Sequence, residues 1–289
     1  MNATMAFAQP DPGWVIGKHA LLCVNALRRE GRTHLDVVRR RIPFQWQGYQ
    51  YQDRDDQPYL QLHNSNGGYV EGDAALLQID VQPGARMLLT TTGATRFYHC
   101  RQGGESRESI EVRIGPGALF EFLPDEMIPY ADTCAIRSAR FDLAPDARLF
   151  VSDTISAGRI HYRGGELFAF RALRAELAIR VDGRLQLLDR QFSTTPGQVR
   201  ALRELWAGYR HLTTIAMHAP QWPRDLPDRL QAVLAAHPHA WSGVTRIGSL
   251  IVLRLLTRDA WHAQQLVFRI WRCARPDLAG KPARVIWKS

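Results

Sequence analysis

Hydrophobic and polar positions alternate with a period of two through the first two-thirds of the chain. Leu77, Ile79 and Val81 interleave with Gln78 and Asp80; Ile110, Val112 and Ile114 with Glu111 and Arg113; Leu177, Ile179 and Val181 with Ala178 and Arg180. Successive side chains of a strand point to opposite faces, so each run predicts a strand with one buried face. Turn residues punctuate the runs at Pro83-Gly84, Gly103-Gly104, Gly115-Pro116-Gly117, Pro145-Asp146, Gly164-Gly165 and Asp182-Gly183. Asp182-Gly183, between two alternating runs, is the signal of a two-residue hairpin.

Three of these turns open a weak internal repeat: proline, a turn residue, alanine, then an apolar strand. The copies begin at Pro83, Pro116 and Pro145, 33 and then 29 residues apart. A recurring turn-plus-strand unit of that period predicts stacked β layers, each burying its face on the next. Three ordinary turns of an antiparallel sandwich are the plainer alternative.

After Gly197 the pattern changes. Val199, Leu202, Leu205, Trp206 and Tyr209 fit a helix. Leu226, Leu230, Val233 and Leu234 predict a second over 227–237, with Asp225 as its cap and Pro227 in the first turn. Residues 244–256 read as one or two strands around Gly248. Ala263, Val267, Ile270 and Ala274 line the stripe of a third helix over 259–273, with Thr257 as N-cap and Pro276 beyond its end. The expected fold is therefore mainly β: a β-rich, stacked-strand body over about 14–196 and a small α+β element of two or three helices over about 197–289. The two parts make one domain spanning 1–289.

Composition refines this picture in two respects. Net charge is +9, and of the 37 basic residues only Lys18, Lys281 and Lys288 are lysine. Arginine at that excess reflects a GC-rich coding bias or a surface built for acidic partners, whose carboxylates it binds bidentately. The arginines are scattered, so nucleic acid is the weakest of the readings. Cys23, Cys100, Cys134 and Cys273 form no CxxC pair and give no local zinc signature. No apolar run approaches the roughly 20 residues of a membrane span, and residues 1–13 do not resemble a secretion signal. The expectation is a cytoplasmic protein with reduced thiols.

No GxSxG elbow, Walker loop, HExxH or GxGxxG is present. The glycines Gly67, Gly68 and Gly72 mark backbone of positive φ or close approach. Asp73 after them reads as an Asx-turn residue satisfying local amides. Thr91 and Thr92 suit a strand. Glu121 alternates with Phe120 and Phe122, so it faces away from them, toward solvent or a polar interior. Taken singly, Glu126, Asp153, Glu166 and Asp189 read as solvated or capped carboxylates; together they allow a polar passage for a cation. The histidines show no metal-ligand spacing. Among Trp241, Trp261, Trp271 and Trp287, tryptophan's enrichment at binding hot spots points to an interface, although Trp271 belongs to a helical stripe and is expected in the core.

Read in order, several segments resemble the UreD/UreH family of urease accessory proteins. They are Gly67-Gly68 through Gly72-Asp73, Pro83-Gly84-Ala85 through Thr91-Thr92 to Tyr98, and Leu123-Pro124-Asp125-Glu126-Met127-Ile128-Pro129-Tyr130. Gly158-Arg159 with Gly165-Glu166-Leu167-Phe168 follow, and then Arg284-Val285-Ile286-Trp287. Glu71 stands where the family often has glycine, Arg96 where lysine is common, and Val285 interrupts the tail. The resemblance covers nearly the whole chain. It implies a β-helix-like fold and a non-enzymatic scaffold that binds UreF, the GTPase UreG and apo-urease during nickel insertion. It also implies no tightly bound cofactor, only transient Ni2+ without a fixed metal site, and an internal passage for which Asp73, Glu121, Asp153 and Glu166 are the candidates. Gly67, Gly68, Gly72, Thr91, Thr92, Glu126, Arg159 and Trp287 are its structural or interface residues. Two alternatives remain beside it, a β-helical polysaccharide-active enzyme and a basic nucleic-acid-binding protein.

Overall fold

The computed structural model of the protein describes residues 18–51 and 56–286. The chain enters as an antiparallel hairpin of β1 (His19–Arg29) and β2 (Arg32–Arg41). Two short strands, β3 (Phe44–Gln45) and β4 (Gln50–Tyr51), both pair with β5 (Pro58–Asn64), which β6 (Gly68–Tyr69) follows. From here the chain coils. One turn of the coil is β7 (Ala74–Val81), β8 (Arg86–Thr91) and β9 (Thr95–Phe97). The next is β10 (Ser106–Ile114), β11 (Leu119–Leu123) and β12 (Met127–Pro129). A third begins with β13 (Cys134–Leu143) and β14 (Arg148–Ser156) and closes through the loop 157–171. β15 (Ala172–Val181) and β16 (Arg184–Ser193) complete the body, joined through Asp182 and Gly183 at φ of 51° and 71°. The hairpin signal is thereby met.

The coil builds three sheets. The first runs β16-β15-β13-β10-β7-β1-β2, parallel from β15 to β1 and closed by an antiparallel hairpin at each end. In the second, β5, β8, β11 and β14 are parallel. The third is the short ribbon β6-β9-β12, which branches from the second where Met127 of β12 pairs with Ile155 of β14. The repeat read in the sequence is the coil itself: Arg86 pairs with Leu119 and Leu119 with Arg148, the same 33- and 29-residue steps. The alanines of the three copies, Ala85, Ala118 and Ala147, are fully buried where the turns stack. There Leu119 N donates to Ala85 O and Arg148 N to Ala118 O, at 2.9 and 2.8 Å.

The remaining elements extend the second sheet and cover it. They are α1 (Pro196–Leu205), β17 (His211–His218), α2 (Leu226–Ala235), β18 (Trp241–Ile247), β19 (Leu250–Thr257) and α3 (Ala260–Ala279). β17 pairs antiparallel with β14, and β19 and β18 follow outward, so that sheet ends β14-β17-β19-β18.

Two cores result. Leu77, Ile110, Phe141 and Leu177 of the first sheet meet Met87, Phe120, Phe122 and Leu149 of the second between the sheets. On the far side of the second sheet, Leu88, Phe150, Ile215 and Leu253 pack under Leu230 of α2 and Ile270 and Trp271 of α3. A sheet buried on both faces loses its alternation, and β17 is buried at every position.

Three details depart from the sequence reading. The N-cap of α3 is Asp259, whose Oδ1 accepts from His262 N at 2.8 Å; Thr257 is instead the buried last residue of β19. Pro276 lies inside α3, not beyond it. The helix continues because Leu278 and Ala279 are buried and Arg86 Nη1 donates to Ala279 O at 3.1 Å, before Gly280 ends it at φ 74°. Asp225 does not cap α2 with its side chain: its backbone is already helical, and its carboxylate instead takes Arg229 Nε at 2.8 Å.

Candidate functional site

Parts of the segments singled out along the sequence, around residues 68–69, 95–98 and 127–130, meet on the third face of the coil. Gly68 of β6 pairs with Arg96 of β9, and Thr95 with Met127 of β12. Tyr98 N donates to Tyr69 O at 2.8 Å, and Tyr130 N to Phe97 O at 2.9 Å. Loop 157–171 adds the last layer, where Phe168 N donates to Ala157 O at 2.7 Å and Asp132 N to Ala169 O at 2.9 Å. Close approach explains two glycines. A Cβ on Gly68 would lie 2.1 Å from Arg96 O, and one on Gly158 2.1 Å from Glu166 O.

The threonines tie neighbouring layers together. Thr91 Oγ1 donates to Asp125 Oδ2 at 3.2 Å and accepts from Asp125 N at 2.8 Å, while Thr90 Oγ1 donates to Leu123 O. Thr92 Oγ1 lies 3.4 Å from His63 Nδ1. Glu126 approaches the buried His211 at 2.9 Å and borders a cleft of about 480 Å3 beneath the first turns of α3.

Arg159 organises the outer part of this face. Its guanidinium lies 4.2 Å from the Tyr130 ring centroid and 3.6 Å from that of Tyr162, and it binds both oxygens of Glu166. Tyr130 in turn packs edge-on against Tyr98 at 5.1 Å. The hydrogen bond from Arg159 holds the Glu166 carboxyl below its usual range, with burial opposing. The result is a pre-formed aromatic–arginine ladder, a composition found at protein-binding hot spots.

The four candidate passage acids occupy separate environments. Asp73 accepts Lys18 N at 2.7 Å and Val70 N at 3.0 Å, so it satisfies backbone amides, one of them 55 positions away, instead of forming the Asx turn expected. Glu166 stands on the third face with Arg159. Glu121 faces away from Phe120 and Phe122, into a buried polar cluster. It lies under α3, accepting Gln57 Nε2 at 2.7 Å, Trp271 Nε1 at 2.6 Å and Arg275 Nε at 3.2 Å.

Asp153 alone of the four lies between the sheets, at one end of a buried chain that the sequence reading missed. Tyr69 Oη donates to Glu108 at 2.9 Å, Glu108 pairs with Arg137 at 2.9 Å, and Arg137 pairs with Asp153. Burial works against the Arg137 charge, yet Asp153 and Glu108 outweigh it and raise its pKa. Burial beside Glu108 pushes the Tyr69 hydroxyl well above its ordinary value. Asp153 also borders a small cavity shared with Asp189 and Thr214. Among the described residues no cluster of three or more His, Cys, Asp or Glu is placed to hold a metal ion.

Trp271 is fully buried, as its place in the helical stripe predicted, whereas Trp241 and Trp261 are exposed. Trp287 lies outside the described residues.

The architecture is a coiled stack of parallel strands with helices packed on one sheet. Comparison with known sequences is specific. Residues 18–288 match the family described as UreD urease accessory protein. The chain is 32% identical to the urease accessory protein UreD of Pseudomonas paraeruginosa, covering 96% of this chain and 97% of that protein. It is 30% identical to that of Pseudomonas fluorescens over the full length of both, and 30% identical to that of Herpetosiphon aurantiacus over 91% and 93%. The chain belongs to the UreD family of urease accessory proteins.

Proposed function

We propose that this chain is a non-catalytic scaffold of urease maturation, which binds apo-urease and a UreF–UreG complex and assists GTP-dependent nickel insertion. The observation that carries the reading is its membership of the UreD family along the whole described chain. One structural feature supports it. On the third face of the coil the rigid side chains of Tyr98, Tyr130 and Arg159 form a packed cluster that suits protein contact. Of the carboxylates read as passage candidates, Asp153 is the one between the two sheets, and its link to Arg137 makes the Glu108–Arg137–Asp153 chain the part of the interior to test for ion transit. No described helix is long and apolar enough to cross a membrane, and the proposed setting is the cytoplasm.

The test is reconstitution. Apo-urease, UreF and UreG from the same source are combined with and without this chain, and nickel-dependent urease activity is measured. Activation that requires the chain, with a complex that copurifies, supports the proposal. Full activation in its absence overturns it.

A further inference from the structure

The chain carries four cysteines, all free thiols, and the coil brings two of them together. Cys100 follows β9, and Cys134 opens β13, 34 positions on and one turn of the coil later. Cys134 N donates to Cys100 Sγ at 3.5 Å. Two further contacts hold the Cys100 thiol in place, Thr133 Oγ1 at 3.8 Å and Tyr98 O, to which it donates, at 3.9 Å. Only Cα and Cβ separate the Cys134 sulfur from that same amide nitrogen, so a change of rotamer brings it to the side of Cys100 Sγ. The two thiols differ in access: Cys100 is 2% exposed, whereas Cys134 is only partly buried. The remaining cysteines sit elsewhere. Cys23 donates to Gln78 Oε1 at 3.5 Å, and Cys273 lies in α3 on the far side of the second sheet. Burial raises the pKa of both of these thiols, which keeps them protonated and slow to react.

We propose that Cys134 and Cys100 form a peroxide-responsive dithiol, an oxidative modification site in which Cys134 attacks and Cys100 resolves. The Cys134 thiolate attacks one oxygen of hydrogen peroxide. An S–O bond forms, the O–O bond breaks, and the displaced hydroxide leaves as water with the proton that the thiol gave up. The Cys100 sulfur then attacks the sulfenic sulfur of Cys134. The S–S bond forms, the S–O bond breaks, and a second water departs with the Cys100 proton. The thiol pair is oxidised to a disulfide and the peroxide is reduced to water; a small-molecule thiol reverses the change by exchange. The difference in access sets the order, because the oxidant has to reach the first sulfur, while the second has only to face it. Position gives the bond its consequence. Loop 98–105 is already fastened by Glu71, which accepts Gln102 N and Gly104 N, and by Arg171, whose guanidinium donates to Cys100 O and Gly104 O. A disulfide ties this loop covalently to the start of β13, two residues after Tyr98 of the Tyr98–Tyr130 contact.

The test treats the reduced full chain with hydrogen peroxide, then alkylates it under denaturing conditions and maps its peptides without reduction. The expected product is a Cys100–Cys134 cross-link that dithiothreitol reverses, with Cys23 and Cys273 modified about tenfold more slowly. Cys134→Ser should abolish the cross-link and leave Cys100 open to alkylation. Cys100→Ser should leave Cys134 as a sulfenic acid that dimedone traps. Thermal melts confirm that both variants fold. In the oxidised wild type, hydrogen exchange at the amides of Gln102 and Gly104 should slow by about threefold or more. Wild-type Cys134 that stops at the sulfenic or sulfinic acid without a cross-link overturns the proposal. Oxidation of all four cysteines at one rate overturns it as well. A cross-link that leaves both amides unchanged overturns its hold on the loop. None of these outcomes bears on the scaffold reading, which the reconstitution decides separately.

Discussion

Glu121 on β11 and Arg275 on α3, 154 positions apart in sequence, meet at 3.2 Å with both side chains out of water. The pair is fully wired. Glu121 also accepts Gln57 and Trp271, while Arg275 Nη2 donates to Gln57 Oε1 at 3.0 Å and Nη1 to Pro282 O at 2.7 Å. It therefore joins the coil, the last helix and the chain that follows it.

Removing one member leaves the other charge buried and unpaired. Glu121→Ala is expected to lower stability by about 3–5 kcal/mol in urea denaturation. Replacing both, as Glu121→Leu with Arg275→Met, should recover most of that loss, because two apolar side chains need no partners. A double variant as unstable as the single one would show that the pair does more than cancel its own desolvation.

Gly68 and Gly93 provide a matched comparison on neighbouring stretches of chain. A Cβ at Gly68 collides with the Arg96 backbone, while at Gly93 nothing lies within 4 Å. Gly68→Ala should cost roughly 1–3 kcal/mol through displacement of β6 from β9. Gly93→Ala should stay within about 0.5 kcal/mol of wild type. Equal midpoints for the two variants would contradict the close approach.

Arg159→Lys keeps the charge but loses the planar fork that holds both Glu166 oxygens and the surface that stacks on Tyr130 and Tyr162. Hydrogen exchange should quicken at the amides of Glu166 and Phe168, which close loop 157–171, and stay unchanged at those of β10. Unaltered protection at both amides would mean that the backbone alone orders the loop.

His218 gives a pH dependence of defined sign. Its Nδ1 donates to Ala147 O at 2.9 Å, and burial lowers its pKa below 6.5, with that hydrogen bond opposing. The unfolded chain takes up a proton near 6.5 that the folded chain refuses, so this contribution is complete above that pH and declines as pH falls below it. His218→Gln should flatten the slope of stability between pH 7 and 5 by no more than about 1.4 kcal/mol per pH unit. An unchanged slope would assign the acid sensitivity to other groups.

Local signals were legible wherever one face of an element meets water. Period-two runs became β7, β10 and β15, and the turn repeat foretold the coil with its register, since stacking requires each layer to reproduce the turn of the last. The helical stripes became α2 and α3. Helix ends were read less well. Pro276 and Thr257 carry local end signals that burial of Leu278 and the strand pairing of Thr257 override. A trace of the buried polar chain was also present, because Glu108 and Arg137 fall in the inward phase of strands otherwise filled by Ile110, Val112, Ala139 and Phe141.

By itself, then, the sequence determined the strands, the period of the coil, the late helices and the family, because each is written in neighbouring residues or in motifs that keep their order. Tertiary structure alone decided which carboxylates meet. Asp73, Glu121, Asp153 and Glu166 look alike along the chain, yet they close a turn, anchor a helix, balance a buried arginine and hold an outer loop. It alone also left most of β18 open to water while β19 beside it is largely covered. Both outcomes depend on how many strands each sheet receives and on what packs above them, and contacts between residues so distant in sequence leave no periodic trace in it.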